Sequence, residues 1–375
     1  MKQVYLNNAS AAYPLAPGVI EAINKSLNEP ARISGRDVST NEDSIKLCRR
    51  KIASLLGVTE EQISLVPNAT YGLNTIFHGL GLEQDELVIT SVMEHNSVLR
   101  PLGKFENDRS IRVRYIPLDQ ELKLDENVYE TLLREKPRLV VLTHASNVTG
   151  RINDIKTMFR KAKSAGALTV LDASQTVGRI PVKAKELFAD MVVFPGYKGL
   201  RASLGCGVFY IDPSVMLNQT YTGGTGIKSD LLLHPVEMPL RFEAGTPNVQ
   251  AFSGLNAALD FHSANFDKIT KKEDELKKLL YQGLSAIEGV NILDPDYAES
   301  LPVVSFTVTG MEAESVGFAL TEGFGIECRT GLHCAPLMHE ALGVSGTIRF
   351  SPSFSNEADE IEYALSAIRE IISEK

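Results

Sequence analysis

A cysteine and a histidine stand side by side in a loop near the C-terminus, where glycine and proline residues interrupt regular structure. The segment reads Arg329-Thr330-Gly331-Leu332-His333-Cys334-Ala335-Pro336. Such a loop can keep a thiol exposed and partly ionised, and the thiolate is the nucleophilic form of cysteine. We therefore predict that Cys334 is a nucleophile. His333 either tunes this thiol or only shapes the loop.

Polar side chains follow four apolar segments in the middle of the chain, at the points where predicted strands end. In open α/β sheets, ligands bind outside the carboxyl ends of the strands. One polar group of this kind is usually a helix cap or a turn, but four of them at one edge predict a binding site. They are Met93-Glu94-His95-Asn96, Thr143-His144-Ala145-Ser146-Asn147, Asp172-Ala173-Ser174-Gln175 and Gly196-Tyr197-Lys198-Gly199.

Lys198 and Asp172 point to a particular cofactor. A lysine that loses hydration has a lower pKa, and its neutral amine can form a Schiff base with a carbonyl group. Pyridoxal phosphate requires such a lysine, together with a carboxylate that faces its ring nitrogen. On this hypothesis His95 stacks on the ring and moves protons, while Gln175 and Asn147 donate hydrogen bonds to the phenolic oxygen.

A turn that opens a helix is predicted at Pro67-Asn68-Ala69-Thr70-Tyr71-Gly72-Leu73-Asn74. Free amide groups at the start of a helix bind phosphate well. The start of this helix, at Ala69 and Thr70, is therefore a candidate phosphate site, with the Thr70 hydroxyl as a further donor. An ordinary N-cap explains the same local sequence equally well.

The segments that carry these residues alternate between short apolar stretches and helical stretches. Most of the apolar stretches are continuous, which is typical of a sheet buried on both faces. Six strands are predicted, at residues 87–90, 111–116, 139–142, 168–171, 191–194 and 208–211. Because helical segments such as 154–165 lie between them, we predict an α/β domain with a largely parallel sheet.

The last third of the chain has a different character. Long, charged amphipathic helices are predicted at residues 267–288 and 356–373. We therefore predict two domains. The large domain comprises residues 15–255, and the small α+β domain comprises residues 1–14 and 256–375.

Composition narrows the classes of function. The chain has 375 residues, of which 43% are hydrophobic, and a formal net charge of −9. Such a length permits a large core, while the acidic balance argues against nucleic acid or an anionic membrane as a partner. No apolar stretch is long enough to span a bilayer and the first residues lack a signal-peptide core, so we predict a cytoplasmic protein. The cysteines are too scattered for a disulfide framework or a metal site. We interpret Cys48, Cys206, Cys328 and His144 as structural.

Taken in this order, the residues resemble the class V, fold type I pyridoxal-phosphate enzymes, and specifically the group II cysteine desulfurases and selenocysteine lyases. The similarity extends from Tyr5 to Ser351. It implies a large domain with a mainly parallel sheet flanked by helices, plus a smaller α+β C-terminal domain. The most specific matches are Asp172-Ala173-Ser174-Gln175, Lys198, Arg241-Phe242-Glu243-Ala244-Gly245-Thr246-Pro247-Asn248 and Arg329-Thr330-Gly331-Leu332-His333-Cys334-Ala335.

The resemblance implies a role for each matched residue. Lys198 would be the Schiff-base lysine, and Asp172 the partner of the ring nitrogen. Thr246 would reach the phosphate of the neighbouring subunit, which implies an obligate homodimer with shared active sites. Arg349 would bind the substrate carboxylate through its bidentate guanidinium. Cys334 would attack the sulfur of bound L-cysteine, leave L-alanine, and pass its persulfide to an acceptor protein. The other implied ligands are His95, Gln175, Ala69, Thr70, Tyr197 and Asn147, the last also facing the substrate.

Two segments depart from the family pattern. The family usually places Ser-Gly-His before the lysine, whereas this chain has Pro195-Gly196-Tyr197. Tyr197 can donate one hydrogen bond to the phosphate, but Pro195 cannot replace a serine. Relatives also commonly carry a histidine in the segment that matches Arg32 to Thr40, where a neighbouring subunit meets the active site; here Arg36-Asp37 lies nearby.

Three functions fit these residues. A cysteine desulfurase requires Cys334. A class V aminotransferase, or a β-lyase that releases sulfide or selenide from cysteine or selenocysteine, requires Lys198 but not Cys334. A non-catalytic protein with the same fold is disfavoured because Lys198, Asp172 and Arg349 are all present. The thiol favours the desulfurase, since plain transamination does not need it.

Overall fold

The computed structural model of the chain describes residues 2–30, 43–294 and 296–374. The segment around Arg36-Asp37, where the sequence departs from the family pattern, lies outside the described residues. The strands are β1 Val4–Tyr5, β2 Ile63–Val66, β3 Leu87–Ser91, β4 Arg112–Ile116, β5 Leu139–Thr143, β6 Leu168–Asp172, β7 Met191–Pro195, β8 Gly207–Ile211, β9 Val290–Ile292, β10 Val304–Val308, β11 Ile326–Glu327, β12 Arg329–Gly331 and β13 Thr347–Phe350. The α-helices are α1 Val19–Leu27, α2 Ser44–Leu56, α3 Ala69–Gly79, α4 Asn96–Arg109, α5 Glu126–Leu133, α6 Ile155–Ser164, α7 Val249–Ser285, α8 Ala313–Phe324, α9 Pro336–Ala341 and α10 Ala358–Ser373.

A seven-stranded sheet forms the centre of the larger part of the molecule. Its strand order is β2-β8-β7-β6-β5-β3-β4, and β8 runs antiparallel to both of its neighbours while the other strands are parallel. Apolar clusters cover both faces. All six predicted strands are present, and the predicted α/β fold is confirmed. The sequence analysis missed β2, because four residues that include a serine give too short an apolar pattern.

The long helix α7 begins earlier than the sequence predicts. It spans 37 residues from Val249, although the amphipathic pattern indicated a start at Asp267. Its first turns are buried against α1 and α2, so they lack the charged face that marks the later turns. The side chain of Asn248 accepts a hydrogen bond from the Ala251 amide and caps the helix at this earlier position. The helix passes through the predicted domain boundary near residue 255, and the boundaries themselves stay a prediction.

A smaller, four-stranded antiparallel sheet forms the C-terminal part. Its order is β12-β13-β10-β9, and α8 and α10 contribute to the apolar cluster that covers it. In this sheet Arg329 of β12 lies directly opposite Arg349 of β13. The N-terminal strand β1 pairs with β11 in a separate parallel ladder. Consequently the first residues of the chain run beside the two arginines.

A buried ion pair fastens the two parts of the molecule together. Arg151 donates from Nε and Nη2 to the two carboxylate oxygens of Asp294, at 2.7 and 2.6 Å. The Ser305 hydroxyl donates to the Val148 carbonyl at 2.6 Å beside it. These contacts lie just after Asn147, so they hold the small sheet at the edge of the large one.

No helix within the described ranges is long and apolar enough to cross a membrane.

Substitution of Asp294 tests this junction. Asp294→Asn leaves the Arg151 guanidinium buried without its full charge partner, so we expect the free energy of unfolding to fall by about 3 kcal/mol in urea titrations. Asp359→Asn is the matched control, because Asp359 pairs with Lys2 on the surface. That variant should match the wild type within error. Equal effects of the two substitutions would contradict a role for the buried pair.

Candidate active site

A cavity of about 730 Å³ opens at the carboxyl ends of the strands of the large sheet. It collects the side chains that the sequence predicts as cofactor ligands, although they are far apart in the chain. Its lining includes Ala69, Thr70, His95, Asn147, Asp172, Gln175, Tyr197, Lys198 and Arg329. The cavity therefore brings together eight of the predicted site residues. It also includes Arg329, for which the sequence predicts no role.

Lys198 follows β7 and faces this cavity. Burial lowers the pKa of its amine to about 8, with Asp172 opposing the shift and Arg349 adding to it. The loop is pressed against the turn after β6, since a Cβ atom on Gly199 would lie 2.2 Å from the Val177 carbonyl oxygen. A lysine held in this way can supply a neutral amine near physiological pH.

Asp172 ends β6 and is 3% exposed. Its Oδ1 accepts a hydrogen bond from the Ser174 amide at 2.9 Å. Beneath it lies Glu94, a fully buried carboxyl group whose Oε1 accepts from the Ser91 hydroxyl at 2.6 Å and from the Thr143 amide at 3.0 Å. Burial, together with the charge of Asp172, raises the pKa of Glu94 to about 8. Asp172 is thus backed by an acid that is neutral at pH 7.

His95 is the N-cap of α4. Its Nδ1 accepts a hydrogen bond from the Ser97 amide at 3.0 Å, which leaves the ring proton on Nε2 in the neutral form. Burial and the neighbouring Lys198 lower the pKa of His95 to about 4. The imidazole is therefore neutral at pH 7 and can exchange a proton through Nε2.

The start of α3 forms a second wall of the cavity. The Asn68 side chain accepts from the Tyr71 amide at 2.9 Å, and the first-turn amides of Ala69 and Thr70 have no partner within the helix. Strand β8 passes so close that a Cβ atom on Gly207 would lie 2.7 Å from the Asn68 Cα. This arrangement can bind an anion such as phosphate.

The amide side chains of Gln175 and Asn147 are each partly used. Gln175 Nε2 donates to the Ala9 carbonyl at 3.0 Å, and Asn147 Nδ2 donates to the His333 carbonyl at 2.7 Å. One amide hydrogen of each remains available. Tyr197 also lines the cavity, and burial, with a contribution from Asp172, raises the pKa of its hydroxyl. It therefore stays a neutral donor.

Thr246 lies outside the cavity on an exposed loop. The loop is held by Glu243, whose carboxylate accepts two hydrogen bonds from Arg49 at 2.7 and 2.9 Å and a third from the Leu65 amide. Its contact with a neighbouring subunit stays a prediction.

Arg349 projects from β13 and is fully buried. Its Nη1 donates to the Asn147 carbonyl at 2.8 Å, and its Nη2 donates to Ser10 Oγ at 2.8 Å and to Asn7 Oδ1 at 3.2 Å. Its Nε has no partner. Burial, with Arg329 as the next cause, lowers the pKa of Arg349 to about 9. An incoming carboxylate would offset this charge and satisfy Nε.

Cys334 follows β12 and contacts Arg329, which lines the cavity. His333 and Cys334 both have left-handed φ angles, 49° and 60°, which are strained for residues other than glycine. Their carbonyl groups are fixed by Asn147 and by the Asn96 amide, at 2.7 Å each. Arg329 Nη2 donates to Cys334 Sγ at 3.0 Å. The thiol is therefore held against a cation.

His333 acts on the loop rather than on the thiol. Its ring is buried, and Nε2 lies 2.7 Å from Thr347 Oγ1 on β13. Burial, followed by Arg349, lowers the pKa of His333 to about 2. A neutral imidazole that binds the neighbouring strand supports the loop-shaping alternative of the sequence analysis.

Cys48, Cys206 and His144 occupy the core, and Cys328 is partly buried against the apolar cluster of the small sheet. Cys48 and Cys206 are fully buried, and Cys206 Sγ donates to the Ser203 carbonyl. Burial raises the pKa of Cys328 to about 12. His144 lies 3.1 Å from the Thr176 hydroxyl. Within the described ranges, no group of three or more His, Cys, Asp or Glu side chains is placed to hold a metal ion.

Three contributors were missed by sequence reasoning: Glu94, Arg329 and Ser10. Glu94 and Arg329 lie within the motifs that contain His95 and Cys334, but the sequence alone did not indicate their roles. The spacing of an arginine five residues before the cysteine could have singled out Arg329. Ser10 had no such signal, because its place depends on how the N-terminal segment runs beside the small sheet.

The buried acid predicts a specific pH response. The pKa of Glu94 rises from about 4.5 to about 8 on folding, so above pH 4.5 the unfolded chain loses a proton that the folded chain keeps. The free energy of unfolding of the wild type therefore falls as the pH rises toward 8. Glutamine does not titrate, so Glu94→Gln lacks this fall. The difference in unfolding free energy between the two proteins should shift in favour of Glu94→Gln by on the order of 3 kcal/mol between pH 5 and pH 8. Urea titrations across this range, with exposed Glu21→Gln as control, provide the measurement. Parallel curves for wild type and Glu94→Gln would contradict a buried neutral acid.

Comparison with known proteins identifies the family. The family model described as aminotransferase class-V matches residues 4–364. A probable cysteine desulfurase of Methanothermobacter thermautotrophicus is 30% identical over 382 residues, covering 98% of this chain and 94% of the relative. A cysteine desulfurase of Pectobacterium carotovorum is 33% identical over 319 residues, covering 84% of this chain and 76% of the relative.

Solved structures agree with these matches. The apo cysteine desulfurase of Thermococcus onnurineus superposes with a TM-score of 0.91 at 29% identity, covering 100% of this chain and 95% of that one. A cysteine desulfurase of Escherichia coli gives a TM-score of 0.88 at 26% identity, covering 99% and 95%. The fold, the order of the site residues and these similarities lead to one conclusion: the chain belongs to the class-V aminotransferase family.

Proposed function

We propose that this enzyme is a pyridoxal-phosphate-dependent cysteine desulfurase, which converts L-cysteine to L-alanine and carries the sulfur as a persulfide on Cys334. The observation that carries the proposal is a hydrogen bond of 3.0 Å to the Cys334 thiol from Arg329, which lines the same cavity as Lys198. Relatives named cysteine desulfurase, matched over most of their length, support it.

The residues present fit the cofactor. The cavity offers an amine that deprotonates near neutral pH, a buried carboxylate, and free amides at the start of α3. Lys198 would hold the carbonyl carbon, Asp172 the ring nitrogen, and Ala69 and Thr70 the phosphate. When bound, pyridoxal phosphate would supply an electron sink for the α-carbon of the substrate. Because Pro195 brings no hydroxyl group, Tyr197 is left as the donor on that side.

The amino-acid substrate would be placed by Arg349. Its unpartnered Nε and its Nη2 form the side-on fork that a carboxylate accepts. This contact orients the substrate between Lys198 and Cys334. The Lys198 amine accepts and returns a proton at Nζ, and neutral His95 exchanges a proton at Nε2.

Sulfur transfer would take place at Cys334. The thiolate attacks the sulfur atom of the bound cysteine, so that an S–S bond forms while the Cβ–S bond breaks. The electron pair of the broken bond stays on the carbon, which is then protonated to give alanine. The Arg329 guanidinium donates a hydrogen bond to the sulfur of Cys334 and holds it in place for the attack. The persulfide would pass to the thiol of an acceptor protein.

A homodimer completes the proposal. Thr246 is exposed on a loop that a buried ion pair holds in place, as expected of a group that serves a neighbouring subunit. The segment before this loop exposes large apolar side chains, and such patches mark interaction surfaces. These are Met216, Tyr221, Leu231, Leu232, Leu233 and Val236.

Replacement of the thiol separates the desulfurase from other class V reactions. Cys334→Ala should lower alanine formation from cysteine more than about 100-fold while the bound cofactor keeps its absorbance. Cys328→Ala, which removes a neighbouring thiol outside the site, should behave as the wild type. Unchanged alanine and sulfide production in Cys334→Ala would exclude the persulfide mechanism and favour a β-lyase.

Replacement of the lysine tests the cofactor. Lys198→Ala should abolish the visible absorbance of the lysine-bound cofactor and with it the activity, whereas Lys156→Ala on the surface of α6 should change neither. The measurement is an absorbance spectrum of protein purified in the presence of pyridoxal phosphate. A wild-type protein that cannot be loaded with this cofactor would overturn the proposed function.

A further inference from the structure

The hydroxyl group of Ser10 lies at the centre of a hydrogen-bonded chain that links the two reactive ends of the site. It donates to Asn7 Oδ1 at 2.7 Å. It accepts from Arg349 Nη2 at 2.8 Å and from Arg329 Nη1 at 3.1 Å. A hydroxyl group has one hydrogen and two lone pairs, so all of its bonding capacity is used.

The far side of Arg329 reaches the thiol. Its Nη2 donates to Cys334 Sγ at 3.0 Å, while its Nη1 is occupied by Ser10. Because a guanidinium is planar and rigid, the distance between its two Nη atoms is fixed, and holding one restricts where the other can lie. The hydrogen bond to Ser10 therefore restricts the position of Nη2 at the thiol.

The two arginines need such a spacer because they repel each other. They lie opposite each other on β12 and β13, and within the described ranges neither forms an ion pair with a carboxylate. The Ser10 oxygen lies between them and accepts a hydrogen bond from each. Removing the oxygen would leave two like charges facing each other with no shared acceptor.

We propose that Ser10 is a positioning residue, whose hydroxyl holds the Arg329 guanidinium against the Cys334 thiol and couples this contact to the carboxylate site at Arg349. The inference rests on the proposed function, because it assigns the carboxylate and the sulfur to the two ends of one substrate. Both hydrogens of Arg349 Nη2 are already used, by Ser10 and Asn7. A carboxylate that binds side-on to Nε and Nη2 takes one of them, and Ser10 transmits the change to Arg329.

The reactivity of Cys334 reports this coupling without any turnover. In the cofactor-loaded enzyme, without substrate, the rate of alkylation by iodoacetamide at a fixed pH is followed by mass spectrometry of the Cys334 peptide. Ser10→Ala should slow alkylation by roughly 3- to 10-fold, because Arg329 no longer stays against the thiolate. Ser10→Thr retains the hydroxyl and should restore the rate.

A double-mutant cycle tests the link to Arg349. Arg349→Lys keeps the positive charge but loses the planar fork, so it should change the alkylation rate of Cys334 when Ser10 is present and leave it unchanged in the Ser10→Ala background. Equal effects in both backgrounds, or a Ser10→Ala rate equal to that of the wild type, would overturn the coupling. If Ser10→Ala does not fold, Arg329→Lys takes its place in the cycle. Arg349→Lys should then leave the alkylation rate unchanged in the Arg329→Lys background. An effect of Arg349→Lys as large there as in the wild type would overturn the coupling.

Steady-state kinetics add an independent measurement. Ser10→Ala should raise the KM for cysteine through Arg349 and lower kcat through Cys334, and Ser10→Thr should recover both. A fall in kcat alone that Ser10→Thr does not recover would indicate a general structural defect and contradict the proposal. Alkylation requires no desulfurase activity, so failure of the coupling and failure of the proposed function are separate results.

Discussion

The site depends on buried positive charge. The cationic side chains of Lys198, Arg329 and Arg349 lie together with too few carboxylates nearby to neutralise them. The pKa of Lys198 is lowered to about 8 and that of Arg349 to about 9, in both cases by burial first and by neighbouring arginines as well. Burying unpaired cations costs free energy, which the rest of the fold must offset. Anionic ligands remove this cost on binding. Buried positive charge of this kind favours an anionic group beside Lys198 and Arg349.

The two sheets provide this charge separately. Lys198 and Asp172 come from adjacent strands of the large sheet, whereas Arg349 and Arg329 come from the small one. Asn147 joins the two groups, because its side chain binds the His333 carbonyl and its own carbonyl accepts from Arg349. The ion pair of Arg151 and Asp294 lies close by in the chain. The relative position of the sheets therefore fixes the distance between the Lys198 amine and the Cys334 thiol.

Much of this arrangement could be predicted from the sequence. Continuous apolar stretches indicate buried parallel strands, and the polar residues that follow them must meet at one edge, so the Lys198 and Asp172 neighbourhood could be anticipated. Contacts that depend on how the strands are aligned with one another could not be predicted from the sequence. Ser10 meets Arg329 and Arg349 because β1 runs beside β11 and because β12 pairs with β13 in a particular alignment. The early start of α7 was likewise hidden, since its first turns are buried and show no amphipathic pattern.

Under the proposed function, the strained backbone at His333 and Cys334 has a consequence for any protein that would accept the sulfur. Both carbonyls of this pair are hydrogen-bonded to the large sheet side of the site, and the His333 ring is fastened to β13. A loop anchored at so many points is held in place. Under the proposed function, an acceptor would therefore have to bring its own thiol to Cys334. The shape of the entrance, as well as chemical reactivity, would then select the acceptor.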